Sequence, residues 1–114
     1  MSVWTLQREV CDRYGALFHP TDPDQIVGVA RNLGTGLEPL NGLRHPAVGT
    51  TCGWYFWAGE KLSQDPDYFQ PMHAAHLAEL CPEVVPYLGL GPGWRLLIAR
   101  NHVDVWYDPA LLQL

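Results

Sequence analysis

His73 and His76 stand three residues apart, and Cys81 follows five further on. Two histidines one helical turn apart can share a metal ion, but His, His and Cys at this spacing match no recognised zinc pattern. The plainer reading packs one histidine under a sheet and leaves the other in solvent. Cys52, next to Gly53, raises the question of a Cys–His nucleophile pair. That chemistry needs a base within hydrogen-bond reach and an oxyanion hole, and no local signature marks either. Glu60, Asp65, Asp67, Asp104 and Asp108 are carboxylates close in sequence to aromatic residues. Paired carboxylates beside tryptophans suit a sugar cleft and acid–base hydrolysis; in loops they serve equally as solvated or capping residues. The glycines at Gly34–Gly36 and Gly89–Gly93 precede no helix carrying a lysine, and Lys61 is the chain's one lysine. A phosphate-binding loop is excluded, and neither a cofactor nor a metal is expected.

What remains is a surface for a macromolecular partner. Trp54, Tyr55, Phe56 and Trp57 form an unbroken aromatic run, followed at once by an acidic, proline-interrupted segment. Strand alternation sets Trp54 and Phe56 on one face and Tyr55 and Trp57 on the other. If the second face is open, Tyr55 and Trp57 are a candidate binding surface. Interface hot spots favour Trp, Tyr and Arg, which draws attention to Arg44, Trp57, Tyr68 and Trp106. The competing reading makes these aromatics core, and for Trp54, Phe56 and Trp94 it is the stronger one.

Composition narrows the partner. Twelve acids against seven bases leave a net charge of −5 across 114 residues. Nucleic-acid binding needs a basic stripe to displace counterions, and none is present. An acidic surface suits a basic protein partner. No apolar run reaches the ~20 residues of a membrane helix. Cys11, Cys52 and Cys81 form no CxxC pair, and the sequence shows no secretory signal, so reduced thiols in a cytoplasmic protein are expected. The length fits one domain over residues 1–114.

The elements that would position these residues follow from periodicity. Val3, Leu6, Val10 and Tyr14 keep a helical rhythm over Ser2–Tyr14, with Ser2 able to cap and Gly15 to terminate. Ile26–Arg31, Cys52–Ala58, Trp94–Ala99 and Val103–Tyr107 read as strands, the last two joined by a tight hairpin at Arg100–His102. Asn32–Gly49 reads as a structured loop containing LNGLRHP, and Glu60–Gln70 as another. Thr21–Asp24 is turn chemistry that can also open a helical turn behind Asp22. Pro71–Leu80 reads as a helix stopped by Pro82, with Met72, Ala75 or His76, and Leu80 inward. A short helical turn is expected at Glu83–Leu88, and another after Asp108 as cap with Pro109 next. The expected architecture is α+β: a small, mainly antiparallel sheet of about four strands with helices packed on one face.

The blocks LNGLRHP, GWYFWAGE, DPDYFQPMHAAHL, CPEVVPYLGLGPGWRLLIA and DVWYDPALL occur in that order over Leu40–Leu112. Together they resemble the bacterial immunity-protein-33-like domain, small proteins inferred to neutralise toxins of interbacterial competition. The resemblance implies a toxin-binding protein rather than an enzyme, and it supplies no catalytic residues. Its matching positions Arg44, His45, Trp57, Glu60, Asp104, Trp106 and Asp108, with Asp65 and Asp67 of the acidic loop, are the candidate partner-binding set. Two other classes stay open. A small carbohydrate- or small-molecule-binding domain or hydrolase would converge Glu60, Asp104 and Asp108 on a deep pocket. A scaffold or dimer would expose an edge strand at Val103–Tyr107.

Overall fold

The computed structural model describes residues 3–63, 65 and 67–113. Helix α1 spans Val3–Tyr14 and turns at Gly15, whose φ of 70° is the left-handed conformation of a helix terminator. Ser2, the expected cap, lies outside the described residues. Strands follow at β1 (Ile26–Ala30), β2 (Leu40–Arg44), β3 (Thr51–Ala58) and β4 (Phe69–His73). After a 3₁₀ turn at Ala74–His76 come the one-turn helix α2 (Leu77–Leu80), a 3₁₀ segment at Pro82–Tyr87, and the hairpin β5 (Trp94–Ala99) and β6 (His102–Tyr107). A last 3₁₀ turn, Pro109–Leu112, is capped by Asp108, whose side chain accepts from the Ala110 N–H.

The six strands form one sheet in the order β4-β1-β3-β2-β5-β6. Only β1 and β3 run parallel; the other four pairings are antiparallel. The sheet is thus mixed and two strands larger than expected. Both additional strands lie where the local pattern argues against them. β2 comes from LNGLR, whose Gly42 is needed because a Cβ there would stand 2.7 Å from the Phe56 ring. β4 comes from FQPMH, where Pro71 suggests a helix start but sits on an edge strand, the one place in a sheet that tolerates it. The inward residues of the following turns are Ala74 and Leu77, while His76 is exposed. At Thr21–Asp24 there is only a turn, closed by Gln25 N–H donating to the Asp22 carbonyl.

Helices α1 and α2 and the 3₁₀ segment at Pro82–Tyr87 cover one face, as expected. Val10 and Cys11 of α1, Leu77, Val84, Leu88 and Leu90 pack against Val27, Val29, Cys52, Trp54, Phe56 and Leu96 of the sheet. Trp54 and Phe56 stack at 5.1 Å between ring centroids. Among the described residues the opposite face carries no α-helix, only the 3₁₀ turn Pro109–Leu112, which packs on it through Leu111. It has a smaller cluster of Ala30, Leu43, Trp57 and Leu111, edged by Tyr55, Tyr68 and Phe69.

Gly53 sets the bend where β3 meets the end of β2. Its φ is 95°, and a Cβ would collide with the backbone carbonyl of His45, whose N–H in turn donates to the Gly53 carbonyl at 2.9 Å. Backbone atoms cannot swing aside as a side-chain tip can. Gly53→Ala should therefore lower stability by at least about 2 kcal/mol, beyond the ~1 kcal/mol of φ strain alone, measured as a drop in the urea midpoint.

Candidate functional site

The uncovered sheet face is read most directly along the strand register. One row crosses all six strands: Trp106, Arg95, Leu43, Tyr55, Gly28 and Pro71. Gly28 belongs there because the Tyr55 ring lies over it where a side chain would begin. Tyr55 makes edge contacts with Phe69 at 5.2 Å and with His45 at 5.8 Å. Leu43, His45, Tyr55, Leu62 and Phe69 line a groove of about 340 Å³. Leu62 is 41% exposed on the loop that carries the chain from β3 to β4. Among the described residues no carboxylate lines this groove.

Two asparagines hold the loop's root. Asn32 treats Ala58 as a strand partner: its Nδ2 donates to the Ala58 carbonyl at 2.6 Å and its Oδ1 accepts the Ala58 N–H at 3.0 Å. Asn41 Nδ2 donates to the Gly59 carbonyl at 2.7 Å. Across the groove, His45 Nδ1 lies 2.9 Å from the Leu111 carbonyl. A carbonyl can only accept, so this nitrogen carries the proton and Nε2 is the other ring position. The C-terminal turn is held further by Arg95, which bonds Asp108 at 3.2 Å and lies 5.5 Å from the centre of the Trp106 ring.

The candidate residues therefore divide. His45, Trp106 and Asp108 gather around Arg95 and the C-terminal turn. Glu60, Asp65 and Asp67 are exposed on the β3–β4 loop, where Asp65 Oδ1 accepts the Asp67 N–H and the Asp67 carbonyl accepts from Gln70. Asp104 is exposed on β6, 3.8 Å from His102. Leu62 and His45, lining one groove, bring the acidic loop and the LRHP block together.

Two expected surface residues are core. Trp57 is on the open face but only 5% exposed, packed among Ala30, Leu43 and Leu111 with Phe69 across its ring. Arg44 points to the helical side and is 1% exposed. Its Nε donates to the Cys52 carbonyl, and Nη1 reaches the carbonyls of His19, Leu88 and Leu90 at 2.9, 3.3 and 2.8 Å. Its guanidinium lies 5.6 Å from the Trp54 ring centre, and burial brings its pKa down to about 10. A charged residue gives no sequence signal that it will be buried against carbonyls. Leu43, Leu62, Phe69, Arg95 and Leu111 were missed for a related reason: their placement follows from strands and turns that local pattern does not reveal.

The metal and nucleophile readings find no geometry. His73 and His76 are both exposed, their ring centroids 6.2 Å apart, and the described residues contain no group of three metal-ligating side chains. Cys11, Cys52 and Cys81 are free and buried, and burial raises the pKa of each thiol.

The Imm33-like domain model matches residues 6–108. The chain belongs to the Imm33-like domain family. The match takes in every β-strand, the loop with Leu62 and the Arg95–Asp108 pair of this Imm33-like domain. It extends well beyond Leu40, so α1 and β1 belong to the shared fold. No curated protein and no solved structure matches the chain.

Two outcomes follow for the buried groups. Arg44→Met should cost about 3–6 kcal/mol, since several buried carbonyls lose their donor at about 1–3 kcal/mol each; Arg44→Lys should recover only part, because one ammonium cannot reproduce the fork. Chemical denaturation measures both. Cys81 is pushed up to about 11 by burial, with Glu83 adding to the effect. A thiol whose folded pKa is raised contributes stability below its unfolded value of 9.0, and loses it as pH rises through about 11. The urea midpoint should fall over that window, and fall less in Cys81→Ala.

Proposed function

We propose that this protein is an immunity protein that binds a toxin through the open face of its sheet and neutralises it by occlusion. The observation that carries the reading is the face on which no described α-helix packs, with its apolar groove, in a chain of the Imm33-like family. An apolar floor of Leu43, Tyr55 and Phe69 with a polar rim matches the anatomy of a specific protein interface. Leu62, at the mouth of the groove, is positioned to bury first. Glu60, Asp65 and Asp67 on the same loop, with Asp104 on β6, would favour a basic toxin surface and speed encounter. His45, Trp106 and Asp108 complete the proposed contact set; Arg44 and Trp57 support it from within. The cytoplasm is the proposed place of action, in keeping with three unpaired buried thiols, and no described helix is long and apolar enough to cross a membrane.

The hydrolase reading has less to stand on. The groove holds one titratable imidazole and one phenol, while Asp108 is occupied by Arg95 and by the Ala110 N–H. A face without converging carboxylates favours binding over acid–base chemistry.

The test looks at the gene immediately upstream for a secreted protein with a C-terminal toxin module, and uses that module. Wild-type protein should form a stoichiometric complex and protect cells expressing the toxin. Leu62→Asp should weaken binding at least about 30-fold, the ~2 kcal/mol of a hot spot, and leave thermal stability unchanged. Asp65→Asn with Asp67→Asn should slow association at low salt and matter little at high salt. A neighbouring toxin that neither binds the protein nor is restrained by it would overturn the proposal.

A further inference from the structure

The two edges of the sheet are built differently. β4, at one edge, carries Pro71 in its middle, a device that blunts strand addition. β6, at the other, reads HVDVWY with no proline, glycine or lysine. It also exposes large apolar side chains on both faces: Val103 at 43% and Tyr107 at 47% on the helical side, Trp106 at 38% on the open side. Soluble proteins seldom leave such an edge uncovered.

The hydrogen-bond parity of β6 shows what its outer edge offers. Asp108 N–H donates to the Gly93 carbonyl of the neighbouring strand's end, in line with the register that pairs Trp94 with Tyr107 and Ala99 with His102. In an extended antiparallel strand, alternate residues turn their backbone groups to the same side. Residues 102, 104 and 106 therefore face β5, and Val103, Val105 and Tyr107 direct their N–H and C=O groups outward.

We propose that β6 is a homodimer edge, pairing antiparallel with β6 of a second copy about a twofold axis at Val105. A second copy fits because this strand complements itself. With Val105 opposite Val105, Val103 meets Tyr107 of the second copy twice over, and all three outward residues exchange both backbone bonds. On the open face, Asp104 then stands opposite Trp106, and His102 opposite Asp108, an acid within reach of an imidazole. The register shifted to put the twofold at Asp104 sets two carboxylates directly against each other, which is destabilising. Centring on Trp106 instead places Pro109, which has no N–H to give, opposite Val103. The result is a continuous twelve-stranded sheet that brings Asp104, Trp106 and Asp108 of the proposed contact set to the seam and leaves the groove around Leu62, which begins two strands away on β2, uncovered.

Sedimentation velocity of the full chain, without toxin, over low-micromolar to near-millimolar concentration tests this. The expected result is a reversible monomer–dimer equilibrium. Val105→Pro removes an outward N–H and leaves the β5 ladder intact, so it should remain folded by circular dichroism and sediment as a monomer. Val103→Asp, at an exposed position, should weaken dimerisation at least tenfold and serves if the proline variant does not fold. Val105→Cys should oxidise to a covalent dimer, and Asp104→Cys should do so far less readily. A wild-type monomer at the highest concentration would overturn the proposal. So would a Val103→Asp dimer as strong as wild type, or preferential cross-linking through position 104. Toxin binding is not read in this experiment, so its outcome is independent of the inhibitor's fate.

Discussion

The fold depends on a cation buried against carbonyl oxygens. Arg44, at the last position of β2, has no carboxylate partner among its hydrogen bonds. Its guanidinium is met instead by the carbonyls of Cys52, His19, Leu88 and Leu90. The Leu88 carbonyl also accepts from Trp54 Nε1 and Thr21 Oγ1, and the next carbonyl, Gly89, accepts from the His19 N–H and the Cys11 thiol. One arginine thus fastens the sheet, the turn after the 3₁₀ segment and the chain leaving α1. An unpaired buried charge is costly, and here the cost is offset by several charge-assisted bonds and by the Trp54 face. Past the end of the 3₁₀ segment the Leu90 carbonyl is met by this guanidinium, which shares the Leu88 carbonyl with Trp54 and Thr21.

This arrangement explains the asymmetry of the two faces. The helical side is bound to the sheet by polar links at its centre as well as by apolar packing. The open side is held by fewer and more peripheral contacts: an Asn–backbone clamp at one end, a His–carbonyl bond and an Arg–Asp pair at the other. A face held in this way spends its ordering entropy during folding and not at an encounter.

Much of this was legible in the residues. The N-terminal helix, the aromatic strand, the β5–β6 hairpin and the Asp108 cap each follow from local rules of periodicity, β-branching and turn chemistry. The split of the aromatic run into two faces followed from alternation alone. β2 was illegible because its asparagine and glycine answer to partners elsewhere: Asn41 to Gly59, Gly42 to the Phe56 ring. β4 was illegible because an edge position excuses Pro71, and edges are set by the whole sheet. The parallel β1–β3 pairing leaves no local mark. The same limit governs the site. Trp57 is on the face that alternation assigns it, but Phe69, from a strand twelve residues on, and Leu111, from the far end of the chain, cover it.

The asparagine clamp at Ala58 and Gly59 bears on what the following loop tolerates. It fixes where the β3–β4 loop departs, and β4 pairing with β1 fixes where it returns. Between those points the hydrogen bonds of the described residues stay largely within the loop itself, as Ser63 to Asp65 and Asp65 to Asp67. Such a segment can change length and chemistry with little penalty to the ladder on either side. Its residues can be rewritten while the strands around it stay as they are, which makes the loop a replaceable cassette on a fixed frame.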